Sequence, residues 1–170
     1  MDTPTYTVTV RAARPDDAEY VRSVLIASWD STKVVARGEL IDAAECPTLI
    51  AEADGTPAGV LTYRIDDRGI EVVSIDSQLS RAGVGTALLA AAAEIGRKAG
   101  AARLWLVTSN DNTAALRFYQ RRGLDLVALR RNAWAAARRL KPQIPELGMH
   151  GIPIRHELEL ELPLTPSVDH

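Results

Sequence analysis

Residues 80–96 read SRAGVGTALLAAAAEIG: two glycines, Gly83 and Gly85, stand directly before a long run of alanine and leucine. From there Val84, Leu88, Ala91, Ala92, Ile95 and Ala99 form one apolar stripe at helical spacing until Gly100, so the stretch predicts a helix over 84–99. Upstream, residues 48–77 hold three runs rich in β-formers, broken at Asp54–Gly55 and at Asp67–Arg68–Gly69, which is the chemistry of tight antiparallel turns. The glycines therefore sit where a three-strand meander, its third run at 70–76, turns into a helix.

The chain on either side extends this pattern. TVTVRAA (7–13) alternates as a strand, and Pro15, Asp16 and Asp17 open a helix that carries Ala18, Val21, Val24 and Leu25 on one face. Residues 30–46 predict a short second helix with an irregular exit at Cys46–Pro47. Beyond the central helix, ARLWLVT (102–108) predicts an interior strand, Asn110 to Asn112 cap a helix running to Arg122 and Gly123, and LDLVALR (124–130) returns as a strand. Residues 132–156 form a long excursion with Pro142, Pro145 and Pro153 and Gly148 and Gly151. HELELEL then predicts a half-buried strand over 157–162, its leucines inward and Glu157, Glu159 and Glu161 on a wet acidic side. The sum is an α/β (α+β) fold: one domain over residues 1–170, with a mixed, mostly antiparallel central sheet of about six to seven strands flanked by helices.

Composition narrows the function. The lone Cys46 cannot form an internal disulfide, and His150, His156 and His170 show no metal-ligand spacing, so no metal is expected. The start of the chain carries no secretory signal and no apolar run approaches the ~20 residues of a membrane span; a cytoplasmic protein without membrane partners is the expectation. Net charge is −2 but uneven: residues 97–141 hold 11 basic residues against Asp111 and Asp125. That basic band suits a phosphate-bearing small molecule, with nucleic-acid binding as an alternative that the lack of interleaved aromatics disfavours.

A strand entering a helix through a glycine turn leaves backbone N–H groups pointing outward at the positive end of the helix dipole, which is a site for an anion such as a pyrophosphate. Gly83 and Gly85 lack Cβ atoms that would bar its approach, and the Thr86 hydroxyl adds a donor. A plain turn with close helix packing is the equally simple structural reading. A nucleoside-triphosphate loop would need Gly-Lys-Ser/Thr, whereas Gly85 is followed by Thr86 and Ala87. A dinucleotide fold would place its glycines after the first strand of a parallel unit, not halfway along the chain after antiparallel strands.

Taken together, SRAGVGTALL and LWLVTSNDNTAALRFYQRRGL resemble the GNAT superfamily of acyl-CoA-dependent N-acetyltransferases, whose pyrophosphate loop is written Gln/Arg-x-x-Gly-x-Gly/Ala and whose next helix carries Asn-x-x-Ala followed by a tyrosine. The likeness runs from about residue 7 to 130, with 157–162 as the closing strand; Ser80 stands where the family writes Gln or Arg. The resemblance implies acetyl-CoA as cosubstrate. Its pantetheine arm would lie between strands 70–76 and 102–108 against the main chain of Val73, Ser74 and Ile75, and its pyrophosphate on Arg81, Ala82, Gly83, Val84, Gly85 and Thr86. Asn112 would bond the arm and Ala115 let it pass.

Asn112, Ala115, Leu116 and Tyr119 share one helix face, so Tyr119 reaches what Asn112 touches. A neutral phenol of pKa ~10 can give a proton to a departing thiolate whose thiol has pKa ~8.5, which makes Tyr119 the expected general acid. Glu71 is the expected base; some family members place a glutamate two residues earlier, at the position of Gly69 here, and a shift of two keeps the strand face. Asp76 is the runner-up, nearer the reacting end if the strand bulges. Arg117, Arg121 and Arg122 are candidates for the 3′-phosphate, and Trp134, Met149, His150 and Arg155 for acceptor contacts; a sheet cap or a homodimer contact is an equal reading of 132–156. The expected activity is direct transfer of acetyl to a primary amine of a small molecule or peptide, the alternative being a non-catalytic acyl-CoA-binding module.

Overall fold

The computed structural model describes residue 2 and residues 4–165; His170 lies outside them. Among the described residues, nine strands and four α-helices follow in order: β1 (Val8–Ala12), α1 (Ala18–Trp29), β2 (Lys33–Ala36), β3 (Glu39–Asp42), β4 (Thr48–Ala53), β5 (Thr56–Asp66), β6 (Gly69–Ser77), α2 (Val84–Lys98), β7 (Arg103–Ser109), α3 (Thr113–Arg121), β8 (Asp125–Arg130), α4 (Ala133–Leu140) and β9 (Glu157–Pro163). Seven strands make one sheet in the order β1-β4-β5-β6-β7-β9-β8, in which only β6 and β7 run parallel.

Each face of the sheet buries its own cluster. On one face Leu88, Leu89, Ala92 and Ala93 of α2 pack against Leu49, Leu61, Ile70, Leu104 and Leu160, and Leu116, Phe118 and Tyr119 of α3 extend the layer. Small residues let α2 lie close to the sheet: a Cβ at Gly96 would stand 2.6 Å from Ile70 Cγ2. On the other face Val21, Val24 and Leu25 of α1 pack with Val34, Ile41, Ile50, Val60 and Val73.

Two expectations are corrected. Residues 30–46 form no α-helix: Val34 and Val35 pair with Ile41 and Leu40 in a two-stranded hairpin, turned at Arg37 and Gly38, both with positive φ, before a single 3₁₀ turn at Ala43–Glu45. Each arm is only four residues long and neither KVVA nor ELID alternates, so the segment reads as weak helical periodicity. The acidic side of β9 is not wet either. Glu157 and Glu159 are buried, because Arg130 from β8, Arg103 from β7 and the Arg37 backbone amide converge on them. Alternation shows that two faces differ, not what covers each.

The sheet also has one engineered-looking irregularity that matters for the site. In β6, Val72 pairs with Tyr63 and Ser74 with Thr62, leaving Val73 as an extra residue. Pairing of β6 with β7 stops just before it, after Ile70–Leu104 and Glu71–Trp105. A bulge bends its strand and sharpens the twist, so β6 diverges from β7 and opens a wedge towards their C-terminal ends.

Candidate active site

In the loop between β6 and α2 the two glycines serve differently. Gly83 is the N-cap of α2 with φ +79°, no side chain caps the helix, and nothing lies within 4 Å of where a Cβ would be. Arg81 also has positive φ (59°), so left-handed residues alternate with Ala82 and curl the chain into a concavity of outward amides. Gly85 answers a packing need instead: its Cβ would stand 2.8 Å from Phe118 of α3. Close packing accounts for Gly85, whereas Gly83 leaves open space at the start of the helix.

A cleft of about 670 Å³ runs along this corner between the loop and α3. Arg81, Gly83, Val84, Gly85, Thr86 and Ile75 line it from the strand–loop–helix side. Asn112, Ala115 and Tyr119 line it from α3, and Arg117, Arg121 and Arg122 ring its mouth, so these expected residues are brought together. Ala82 packs into the core instead, and Val73 and Ser74 stand deeper in β6, Ser74 with its hydroxyl 2.6 Å from that of Thr62. Arg122 Nε donates to Thr86 Oγ1 at 2.7 Å and stacks over the Phe118 ring at 3.6 Å, which leaves the Thr86 O–H free to donate. Asn112 caps α3 by accepting from the Ala115 amide at 3.2 Å, leaving its side-chain NH₂ for the cleft. An uncapped helix start with an open glycine and a ring of guanidinium groups fits a pyrophosphate-bearing ligand.

Tyr119 is 8 % exposed, and burial, with a smaller contribution from the Asp76 charge, pushes its phenol well above the usual tyrosine range. It therefore holds its proton at any physiological pH. Residues 13–124 match the Acetyltransferase (GNAT) family. The chain belongs to that family. It is 45% identical over 104 residues to YdhI of Bacillus subtilis, a protein described as uncharacterized, the alignment covering 61% of this chain and 65% of YdhI, just under two thirds of that relative's length. Among solved structures, an IAA acetyltransferase of Bacillus cereus superposes with TM-score 0.70 at 20% identity, over 93% of this chain and all (100%) of the other. A Bacillus subtilis acetyltransferase in complex with CoA gives 0.65 at 19%, over 95% and 100%. At those identities the structures share the GNAT fold with this chain.

On the opposite side of the wedge lies a second cleft of about 760 Å³, and Ile75 and Asn112 line both. Its walls come from the end of α1, from β2, from Asp76 and from the 141–154 segment, which forms its roof. The roof is tied down at both ends. Lys141 Nζ donates to the carbonyls of Trp29 (2.6 Å) and Lys33 (2.9 Å), while Asp111 accepts from the Met149 amide (3.0 Å) and from the Ser109 hydroxyl. Gly148 makes the second tie possible, since a Cβ there would fall 2.2 Å from Asp111 Oδ2. Trp134 and Met149 line this cleft as expected; His150 and Arg155 do not.

The two carboxylates of β6 have different surroundings. Asp76 lines the second cleft with Oδ2 buried and without a hydrogen-bond partner. Burial raises its pKa, and the nearby Ser28 and Trp29 side chains draw it partway back. Glu71 is 2 % exposed at the closed end of the wedge, paired with Arg64, which also binds Glu39, and it lines neither cleft. Burial raises its pKa against the pull of Arg64. Cys46 likewise lines neither cleft, and burial pushes its thiol up, against a role as acyl carrier. The basic band is not a continuous positive surface: Arg103 and Arg130 are committed to glutamates, Arg138 to the carbonyls of Pro145 and Ile154, and Lys141 is buried.

Sequence reasoning missed most of the second cleft. Trp29 enters it from the end of α1, and Val34 and Val35 through the hairpin, for which VVARGELI with Arg-Gly at its centre was the available signal. Nothing in the local sequence marks Lys141 as buried.

Proposed function

We propose that this chain is an N-acetyltransferase that moves an acetyl group from acetyl-CoA to an amine by direct attack. The observation that carries the reading is the wedge itself. It joins two clefts through Ile75 and Asn112, with a neutral phenol on one side and an unpartnered carboxylate on the other. Acetyl-CoA bound there supplies an acyl thioester, an activated acetyl group with a thiolate leaving group. The amides of residues 81–86 hold the pyrophosphate, the Asn112 side-chain NH₂ bonds the pantetheine arm, and the β6 main chain at Val73–Ile75, freed from β7, takes the arm as an added strand.

The amine arrives as an ammonium ion and must shed a proton before its lone pair can attack. Asp76 is placed to receive that proton, directly or through a water. As the C–N bond forms and the C–S bond breaks, Tyr119 gives its proton to sulfur and is reprotonated from the second nitrogen-bound proton. The balance is ammonium plus thioester to amide, thiol and one released proton. Glu71 remains a second candidate base, and Glu71→Gln against Asp76→Asn separates the two: the true base loses activity most at neutral pH and recovers as pH rises towards the amine's own pKa.

Tyr119→Phe tests the acid. Turnover, read as free-thiol release, should fall by about 10²–10⁴ while acetyl-CoA affinity measured by calorimetry stays unchanged. Unchanged turnover removes the assignment.

A further inference from the structure

The second cleft has a chemistry of its own. Its walls are apolar at Val34, Val35, Trp134, Ile144, Leu147 and Ile154, and its volume is that of a small-molecule site. Neutral polar side chains, Ser28, Ser109, Asn112 and Gln143, also line it, and four ionisable groups set its charge: Asp30, Asp76, Asp111 and Lys141. Asp76 Oδ2 and Trp29 Nε1 are both buried without hydrogen-bond partners, one an acceptor and one a donor. Asp111 is consumed by its bonds to Ser109 and Met149, and Asp30 stands exposed at the rim. Lys141, 7 % exposed, places an ammonium in the cleft wall; two of its three N–H groups are held by carbonyls, burial lowers its pKa against the pull of the Asp30 charge at the rim, and among the described residues no carboxylate lies within salt-bridge distance of it.

We propose that this cleft binds a small amine bearing a single positive charge on an apolar body, its ammonium at Asp76 and its hydrocarbon against the tryptophans, and that Lys141 excludes acceptors with a second cationic group. The proposal rests on the acetyl-transfer reading for the word acceptor, and it adds which amines enter. Asp76 is half-buried, and its Oδ2, shut from water without a hydrogen bond, is costly until a cation meets the carboxylate. The ammonium of a monoamine ends that cost. A diamine or polyamine that satisfies Asp76 with one end must bring its other charge towards the Lys141 ammonium, where it is repelled and competes with Lys141 for the one free carboxylate at the rim among the described residues, Asp30. A lysine on a folded protein meets a further obstacle, because the roof over 141–154 is anchored to both α1–β2 and β7–α3 and stands over one side of the cleft.

Hexylamine and 1,6-diaminohexane have the same chain length and differ by one charge. Calorimetry of each amine against the protein, without acetyl-CoA, should show hexylamine bound at least about tenfold more tightly, and thiol release with acetyl-CoA should show the same order. Asp76→Asn should abolish hexylamine binding, and Lys141→Met should narrow the gap between the amines. Should Lys141→Met fail to fold, the wild-type comparison still decides. Equal or tighter binding of the diamine, preferred turnover of spermidine or of a lysine peptide, or hexylamine binding that survives Asp76→Asn overturns the proposal. Hexylamine bound as expected but never acetylated contradicts the transfer reading alone and leaves the single-charge cleft standing.

Discussion

The two clefts that meet at Ile75 and Asn112 are built in opposite ways. The first is local: the main chain of one glycine turn, the start of α2, and the side chains on one face of the short helix α3, all within residues 75–86 and 112–122. The second is made of side chains from the end of α1, a hairpin, β6, the β7–α3 loop and the 141–154 roof, segments more than 100 residues apart in sequence. A backbone site recognises what every acetyl-CoA carries and needs only a local motif. A side-chain site recognises one acceptor and needs the whole fold to assemble it.

That contrast can be broken first at Gly83. A valine there faces φ +79° and places a branched side chain over the exposed amides. Strain of about 1–3 kcal/mol together with the lost approach should weaken acetyl-CoA binding by roughly 100-fold in calorimetry, while hexylamine binding is unaffected. Equal weakening of both would mean the clefts are not separately built.

Gly148→Ala is the converse perturbation. The new Cβ collides with an Asp111 carboxylate that is held from two sides, so the roof must lift. Overpacking of this kind costs about 1–3 kcal/mol; the acceptor KM should rise by about tenfold or more with acetyl-CoA affinity unchanged.

The smallest expected effect is on stability, and its sign is informative. Asp76 has its pKa raised by burial above the ordinary 3.8, so its folded form favours the proton. Its contribution is therefore fully present at acid pH and lost as pH rises through the raised value. Asp76→Asn should remove that loss, raising Tm at pH 8 by about 2–4 °C relative to wild type and less at pH 4, even as it removes amine binding. A Tm lowered at pH 8 would mean that Asp76 has a partner in the folded state.

What could be read from the sequence follows the same division. The strand–glycine–helix turn, α3 with Asn112 and Tyr119, and the meander were legible because each is fixed by neighbours in the chain. The β2–β3 hairpin was hidden by its short arms. The burial of Glu157 and Glu159 was hidden because Arg37, Arg103 and Arg130 reach them from three separate elements. The bulge at Val73, which opens the wedge and turns Asp76 towards the second cleft, exists only in the register between β5 and β6. Sequence pattern carries periodicity, not pairing offsets, so it could not place Asp76 at the second cleft and Glu71 at the closed end of the wedge.

The central claim is that the acetyl thioester lies where the two clefts join. A crystal structure of the acetyl-CoA complex measures this directly. The account predicts the pyrophosphate on the amides of residues 81–86, the pantetheine between β6 and β7, and the thioester sulfur within hydrogen-bond reach of the Tyr119 hydroxyl, with the acetyl group facing Asp76. A pantetheine arm that runs elsewhere, or a sulfur beyond reach of Tyr119, would contradict it.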